Sequence, residues 1–127
     1  MEWNFRSDQP IYAQLISGIK LGIVSGVLSP GERLPSVRDL ATEAGVNPNT
    51  MQRALQELER EGLVYTQRTA GRFVTEQIGV IRGARGTIAR QSARIFLDDM
   101  KKLGYGREEI LSLLEEEKEE NHGDSGV

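Results

Sequence analysis

Tyr12, Leu15, Ile16, Ile19 and Ile23 recur at i, i+3, i+4, i+7 and i+11, which places them on one face of a helix. Asp8-Gln9-Pro10 opens that helix, because Pro is favoured at a first helical position and an acidic group suits the positive end of the helix dipole. Gly26 is the expected stop, and Ser29-Pro30-Gly31-Glu32 is turn chemistry. Pro35 holds Arg33-Leu34 extended. Ser36 then caps a second helix, with Asp39 three positions on as its reciprocal partner, an apolar stripe of Val37, Leu40, Ala41 and Ala44, and a left-handed end at Gly45. Asn47 and Pro48 suit the cap and first position of a third helix, with Met51, Ala54, Leu55 and Leu58 buried and Gly62 closing it. Two short helices joined by Gly45-Val46-Asn47 read as a helix-turn-helix.

Leu63-Val64-Tyr65-Thr66-Gln67 and Arg72-Phe73-Val74-Thr75 read as short strands around the hairpin loop Arg68-Thr69-Ala70-Gly71. A hairpin directly after the third helix is a wing, so residues 1–75 are expected to form one winged helix-turn-helix domain. Beyond it, Ile81, Ile88, Ile95, Phe96, Met100 and Leu103 suggest a helix that is firm from about Thr87, with Gly79, Gly83 and Gly86 interrupting its early part. Gly104-Tyr105-Gly106 breaks it. A last helix from Arg107 to Glu120 is expected to bury Ile110, Leu111, Leu113 and Leu114, and residues 121–127 read as a disordered tail. The fold class is mainly α with a small β wing. The 52 residues after position 75 make two helices that cannot bury a large core alone. Residues 76–120 are therefore expected to be a helical dimerisation domain, with Ile88, Ile95, Phe96, Ile110, Leu111 and Leu114 at the interface.

Charge at first argues against nucleic acid: 16 Lys and Arg face 19 Asp and Glu, a net of −3 over 127 residues. The distribution reverses that. Residues 115–124 hold six carboxylates against Lys118, leaving 15 basic and 13 acidic groups in residues 1–114. Beyond a Debye length of about 8 Å, charges are screened, so local patches outweigh the total. The acidic cluster itself reads as a solvated helix end rather than a metal site.

Composition also excludes several chemistries. There is no Cys, hence no disulfide framework, thiolate metal site or Cys nucleophile. The lone His122 lies in a polar tail, which removes His-based metal clusters and Ser-His-Asp catalysis. No phosphate loop is present, so neither an enzyme nor a cofactor is expected. No apolar run approaches the ~18–20 residues of a membrane span, and the first residues lack a signal peptide's pattern. The expectation is a cytoplasmic protein with no membrane partner.

The chemistry concentrates on the third helix. Asn49, Gln52, Arg53, Gln56 and Arg60 fall at i, i+3, i+4, i+7 and i+11, opposite the apolar stripe. Arg can bridge guanine O6 and N7, and Asn or Gln can bridge adenine N6 and N7, in the major groove. Arg38 sits in the first turn of the second helix, where it either meets the duplex backbone or pairs with Asp39 or Glu43. Asn47 and Thr50 stand where free backbone N–H groups suit a phosphate oxygen. Arg68, Gly71 and Arg72 mark the wing tip, where a glycine lets the backbone approach the minor groove. Tyr12 and Trp3 read as packing residues.

Taken in order, Pro10 to Leu15, Gly26 to Ala41, Val46 to Leu55, Leu58 to Val64 and Gly71 to Val74 resemble the GntR family of bacterial transcription regulators, over about 65 residues. The resemblance implies DNA contacts by Arg38, Asn47, Asn49, Thr50, Arg53 and Gly71. Two positions depart from the family pattern: Gln52 stands where many relatives have a basic residue, and Thr69 replaces the first glycine of the usual Gly-x-Gly wing. The short two-helix C-terminus, with Leu103 to Ile110, resembles the YtrA subfamily, which implies a dimerisation module with little room for an effector pocket. The expectation is a homodimeric repressor that binds double-stranded DNA at a palindromic operator, with no small-molecule effector indicated. The competing reading is a winged-helix protein-interaction module that does not bind DNA.

Overall fold

The computed structural model describes residues 1–125, and side chains through Glu117. The first helix, α1, is Ile11–Val24. Pro10 stands just ahead of it with ψ 136°, so it precedes the first turn instead of occupying it. Leu15, Ile19 and Ile23 are buried and Tyr12 and Ile16 half-buried, as the periodicity predicts. Helix α2, Val37–Ala44, starts where the Ser36 hydroxyl accepts from the Asp39 N–H at 3.1 Å and ends at Gly45 with φ +71°. Helix α3, Pro48–Arg60, starts where the Asn47 side-chain oxygen accepts from the Asn49 N–H at 2.7 Å. These side chains satisfy donors that no helical carbonyl can reach.

Strands β1, Val64–Gln67, and β2, Gly71–Val74, pair antiparallel, with Gln67 opposite Gly71 and Val64 opposite Val74. Gly71 is therefore the first residue of β2, and the loop is Arg68-Thr69-Ala70. Arg33 bridges Phe73 from the other side of β2, and the Leu34 N–H donates to the Arg72 carbonyl at 2.8 Å. The extended Arg33-Leu34 piece is thus a third, minimal edge to the wing. Helix α3 lies at the centre of this unit, packed against α1, α2 and β1. Its Met51, Ala54, Leu55 and Leu58 are almost fully buried with Leu40, Leu63, Val64 and Val74. Lys20 on α1 also pairs with Glu61 just past α3 at 2.7 Å.

Helix α4 runs Ile78–Lys102 without interruption, so the three early glycines do not break it. Its first turns are held because Ile81 is buried and Val80 lies beside Gly62. Accordingly the chain divides into compact units at Met1–Thr87 and Ile88–Val127, later than the boundary after residue 75 that the strand pattern suggests. The opening of α4 belongs with the winged unit.

In the second unit, Gly104 at φ +88° ends α4, and the Tyr105 N–H donates back to the Met100 carbonyl at 3.0 Å. Helix α5 is Arg107–Ser125, longer than the expected Arg107 to Glu120. The Glu109 carboxylate accepts the Gly106 N–H at 2.9 Å, which caps the start of α5. Met100 and Ile110 are buried, whereas Leu111 is 52% and Leu114 46% exposed. The expectation that Ile110, Leu111, Leu113 and Leu114 are all buried thus holds fully for Ile110 alone, and Leu113 is half-buried. Two helices cover one side of each other and leave the remaining faces open. The tail expected at 121–127 lies outside the residues whose side chains are described.

Candidate nucleic-acid interface

Burying the Met51, Ala54, Leu55 and Leu58 stripe turns the opposite side of α3 to solvent. Asn49, Arg53 and Gln56 are exposed on it, and Gln52 and Thr50 are half-buried. Asn47 spends its side-chain oxygen on the cap and leaves its amide N–H₂ unused in that bond. The Arg53 guanidinium carbon lies 4.8 Å from the centroid of the Tyr12 ring on α1. Tyr12, expected only to pack, therefore touches the candidate face.

Arg60 behaves differently from the rest of its series. Its guanidinium donates to the Glu57 carboxylate, Nε to Oε1 at 2.9 Å with Nη2 on the second oxygen. The Arg60 hydrogen bond, with a further one involving Glu61, holds the Glu57 carboxyl below the ordinary glutamate range. The same bond raises Arg60 above its usual value. Arg60 is a paired surface cation.

At the wing, Arg68 and Thr69 are exposed and Gly71 is half-buried at φ +113°. Arg72 does not flank the tip as a free cation. Its side chain is 16% exposed and leans back over α3, with Nε 3.5 Å from Glu59 Oε1 and Nη1 3.5 Å from Gln52 Oε1. Thr66, opposite it in register, donates to the same Glu59 oxygen at 2.9 Å. Arg72, Thr66 and Glu59 brace the wing against α3, because strand register puts residues 66 and 72 on one face of the hairpin.

Arg33, which the sequence pattern marks only as part of an extended piece, also reaches the wing. A Cβ built on Gly71 would come within 3.1 Å of Arg33 Nε and 3.5 Å of Nη2. The guanidinium thus rests on the bare backbone of the wing glycine. The signal was present in part, since Pro35 restricts Leu34 to extended backbone, but nothing local says which strand that edge joins.

Arg38 is exposed in the first turn of α2. Neither Asp39 nor Glu43 takes it: Glu43 pairs instead with the N-terminal ammonium at 3.1 Å. Among the described residues Arg33, Arg38, Arg53 and Arg68 form no ion pair. Four guanidiniums without carboxylates and a row of amides occupy α2, α3 and the wing of one unit.

The second unit carries the other expected set. Ile95 is 63% exposed, Phe96 is 38% exposed, and Ile88 is half-buried. Phe96, Leu97, Tyr105, Ile110, Leu111 and Leu114 line a groove of about 450 Å³ between the two helices. Ile110 is 6% exposed and therefore packs within its own chain, which removes it from the exposed apolar face expected for an interface. Among the described residues no group of acidic or His side chains could hold a metal ion, and no helix is long and apolar enough to cross a membrane.

Residues 11–74, from α1 through β2, match the family described as bacterial regulatory proteins, gntR family. The HTH-type transcriptional repressor YtrA of Bacillus subtilis is 40% identical over 95 residues, which covers 73% of this chain and 73% of that protein. A GntR family transcriptional regulator from Listeria monocytogenes superposes with a TM-score of 0.82 at 39% identity, covering 88% of this chain and 98% of that one. The AraR DNA-binding domain, in complex with operator ORE1, superposes with a TM-score of 0.51 at 28% identity, over 59% of this chain and 94% of that one. From the α1 stripe through the capped α2–α3 pair to the wing, the chain belongs to the gntR family of bacterial regulatory proteins, among its YtrA-like transcriptional regulators.

Proposed function

We propose that this regulator works as a cytoplasmic homodimeric repressor, with α3 of each copy in the major groove of a palindromic operator and the wing at the adjacent minor groove. The observation that carries the reading is the solvent face of α3. Asn49, Arg53 and Gln56 stand exposed above a sealed apolar stripe, beside three further unpaired arginines. Asn49, Gln52, Arg53 and Gln56 are the base-reading candidates, since amides and guanidiniums match purine edges. Arg38, Asn47 and Thr50 suit phosphate oxygens near the helix starts. Arg68 and Gly71 form the wing contact, with Arg72 supporting it from behind. The repressor role follows that of the similar Bacillus subtilis repressor YtrA, and DNA as partner follows the AraR–operator complex.

Dimerisation rests on the exposed apolar residues of the second unit. Ile88, Ile95, Phe96, Leu111 and Leu114 would lose that exposure against a second copy, and recognition helices of a dimer meet successive major grooves about 34–36 Å apart. The test is binding of the purified protein to its own upstream promoter fragment and to a scrambled duplex, each at two salt concentrations. Preferential, salt-sensitive binding at two subunits per site is the expected result. No binding to either duplex at low salt would overturn the reading in favour of a protein-docking module.

A further inference from the structure

Each arginine near the face of α3 is held in a different way, and the difference decides what it has left to offer. Arg60 is clamped by Glu57, and Arg72 lies against Glu59 and Gln52. A carboxylate fixes a guanidinium by occupying its donors and cancelling its charge. Arg53 is held by a ring instead, 4.8 Å above the Tyr12 centroid. The face of an aromatic ring attracts the cation through its quadrupole and uses none of its five N–H donors. A side chain restrained in this way has lost rotamer entropy before it meets a ligand, while its whole donor set stays available.

The ring is itself well fixed. Tyr12 lies in the first turn of α1, whose Leu15, Ile19 and Ile23 are buried and which packs along α3. Lys20 and Glu61 tie the same pair together at 2.7 Å. The position of Tyr12 relative to Arg53 is therefore set by the core.

We infer that Tyr12 is a positioning residue for base recognition: its ring pre-aims the Arg53 guanidinium into the major groove, so that discrimination between DNA sequences depends on a side chain of α1, outside the helix-turn-helix. The inference rests on the DNA-binding reading above. A cation–ring contact at an exposed site accounts for about a two- to fivefold effect on an equilibrium. That effect belongs to the ratio between preferred and unrelated duplexes, because a disordered Arg53 keeps its charge and still attracts phosphates.

The test uses the full chain and a duplex that the wild-type protein recovers from a random-sequence pool, with a shuffled duplex as reference. Tyr12→Leu should lower the ratio of the two affinities about two- to fivefold and leave both shuffled-duplex affinity and salt dependence unchanged. Tyr12→Phe, which retains the ring, should restore the ratio. In an Arg53→Ala background, Tyr12→Leu should have no further effect. An equal loss on both duplexes, a loss shared by Tyr12→Phe, or full additivity with Arg53→Ala would overturn the inference. A variant that fails to fold does not block the test, because the Arg53 side-chain protons of the wild type should show an upfield ring-current shift in NMR spectra, and its absence also overturns it. Should the wild type select nothing from the pool, the DNA-binding reading falls as well. Selection by the wild type with Tyr12→Leu unchanged rejects the positioning role alone.

Discussion

Gly71 is the residue on which two demands converge. Its φ of +113° lies where side chains are strained, and Arg33 Nε stands 3.1 Å from where its Cβ would be. Gly71→Ala must hold that backbone and also displace a guanidinium. The expected loss of stability is about 1–3 kcal/mol in urea denaturation; a midpoint equal to wild type would show that the wing relaxes freely. Glu57 supports a second prediction, about pH. Hydrogen bonding from Arg60 lowers its folded pKa, so the pair's contribution is present above the unfolded glutamate value of about 4.3 and disappears as pH falls through the lower folded value. Wild type and Glu57→Gln should therefore differ in urea midpoint at neutral pH and converge in acid, and the gap should shrink with salt because the pair is exposed. A gap independent of pH would point to packing. The caps at Ser36 and Asn47 and the α3 stripe were legible in the sequence, because each depends on neighbours within four positions. The Arg53–Tyr12 contact, the Arg33 seat on Gly71 and the return of Arg72 to Glu59 were not, because their partners are distant in sequence and fixed only by packing.

At the scale of elements, α4 shows a propensity argument overruled. Gly79, Gly83 and Gly86 made its opening look uncertain, since each glycine costs a helix about 1 kcal/mol relative to alanine. The helix forms through them nevertheless, and buried Ile81 with half-buried Val80 supplies the tertiary support that propensity leaves out. A Cβ at Gly83 would meet nothing within 4 Å. Gly83→Ala should accordingly stabilise the protein by about 0.5–1 kcal/mol, read as a higher urea midpoint. A lower midpoint would mean that the site needs glycine for a reason other than space. The wing was legible as a hairpin, but its third edge at Arg33 was not, because a two-residue extended piece carries no periodicity.

For the whole molecule, the exposed apolar residues of the second unit matter most. Ile95, 63% exposed on α4, is the most direct probe. Sedimentation should give a dimer for wild type and a monomer for Ile95→Glu, because a carboxylate cannot enter an apolar contact without a partner. A monomeric wild type would remove the premise. A change in composition after Thr75 is legible in the sequence. The position of the boundary is not, since the first turns of α4 join the winged unit through buried side chains rather than through any break in the helical pattern.

Trp3 is the sole tryptophan of the chain, with its ring against Gly18 of α1 and stacked on Phe5 at 5.5 Å between centroids. Its indole N–H is enclosed and has no hydrogen-bond partner among the described residues. The second unit contains no such chromophore. Intrinsic fluorescence excited at the indole band therefore watches the winged unit alone, while far-ultraviolet dichroism sums the helices of both. The molecule thus carries a built-in optical label for one of its halves: coincident melting curves would mean that the two units unfold as one cooperative body, and separated curves would give the stability of each without cutting the chain.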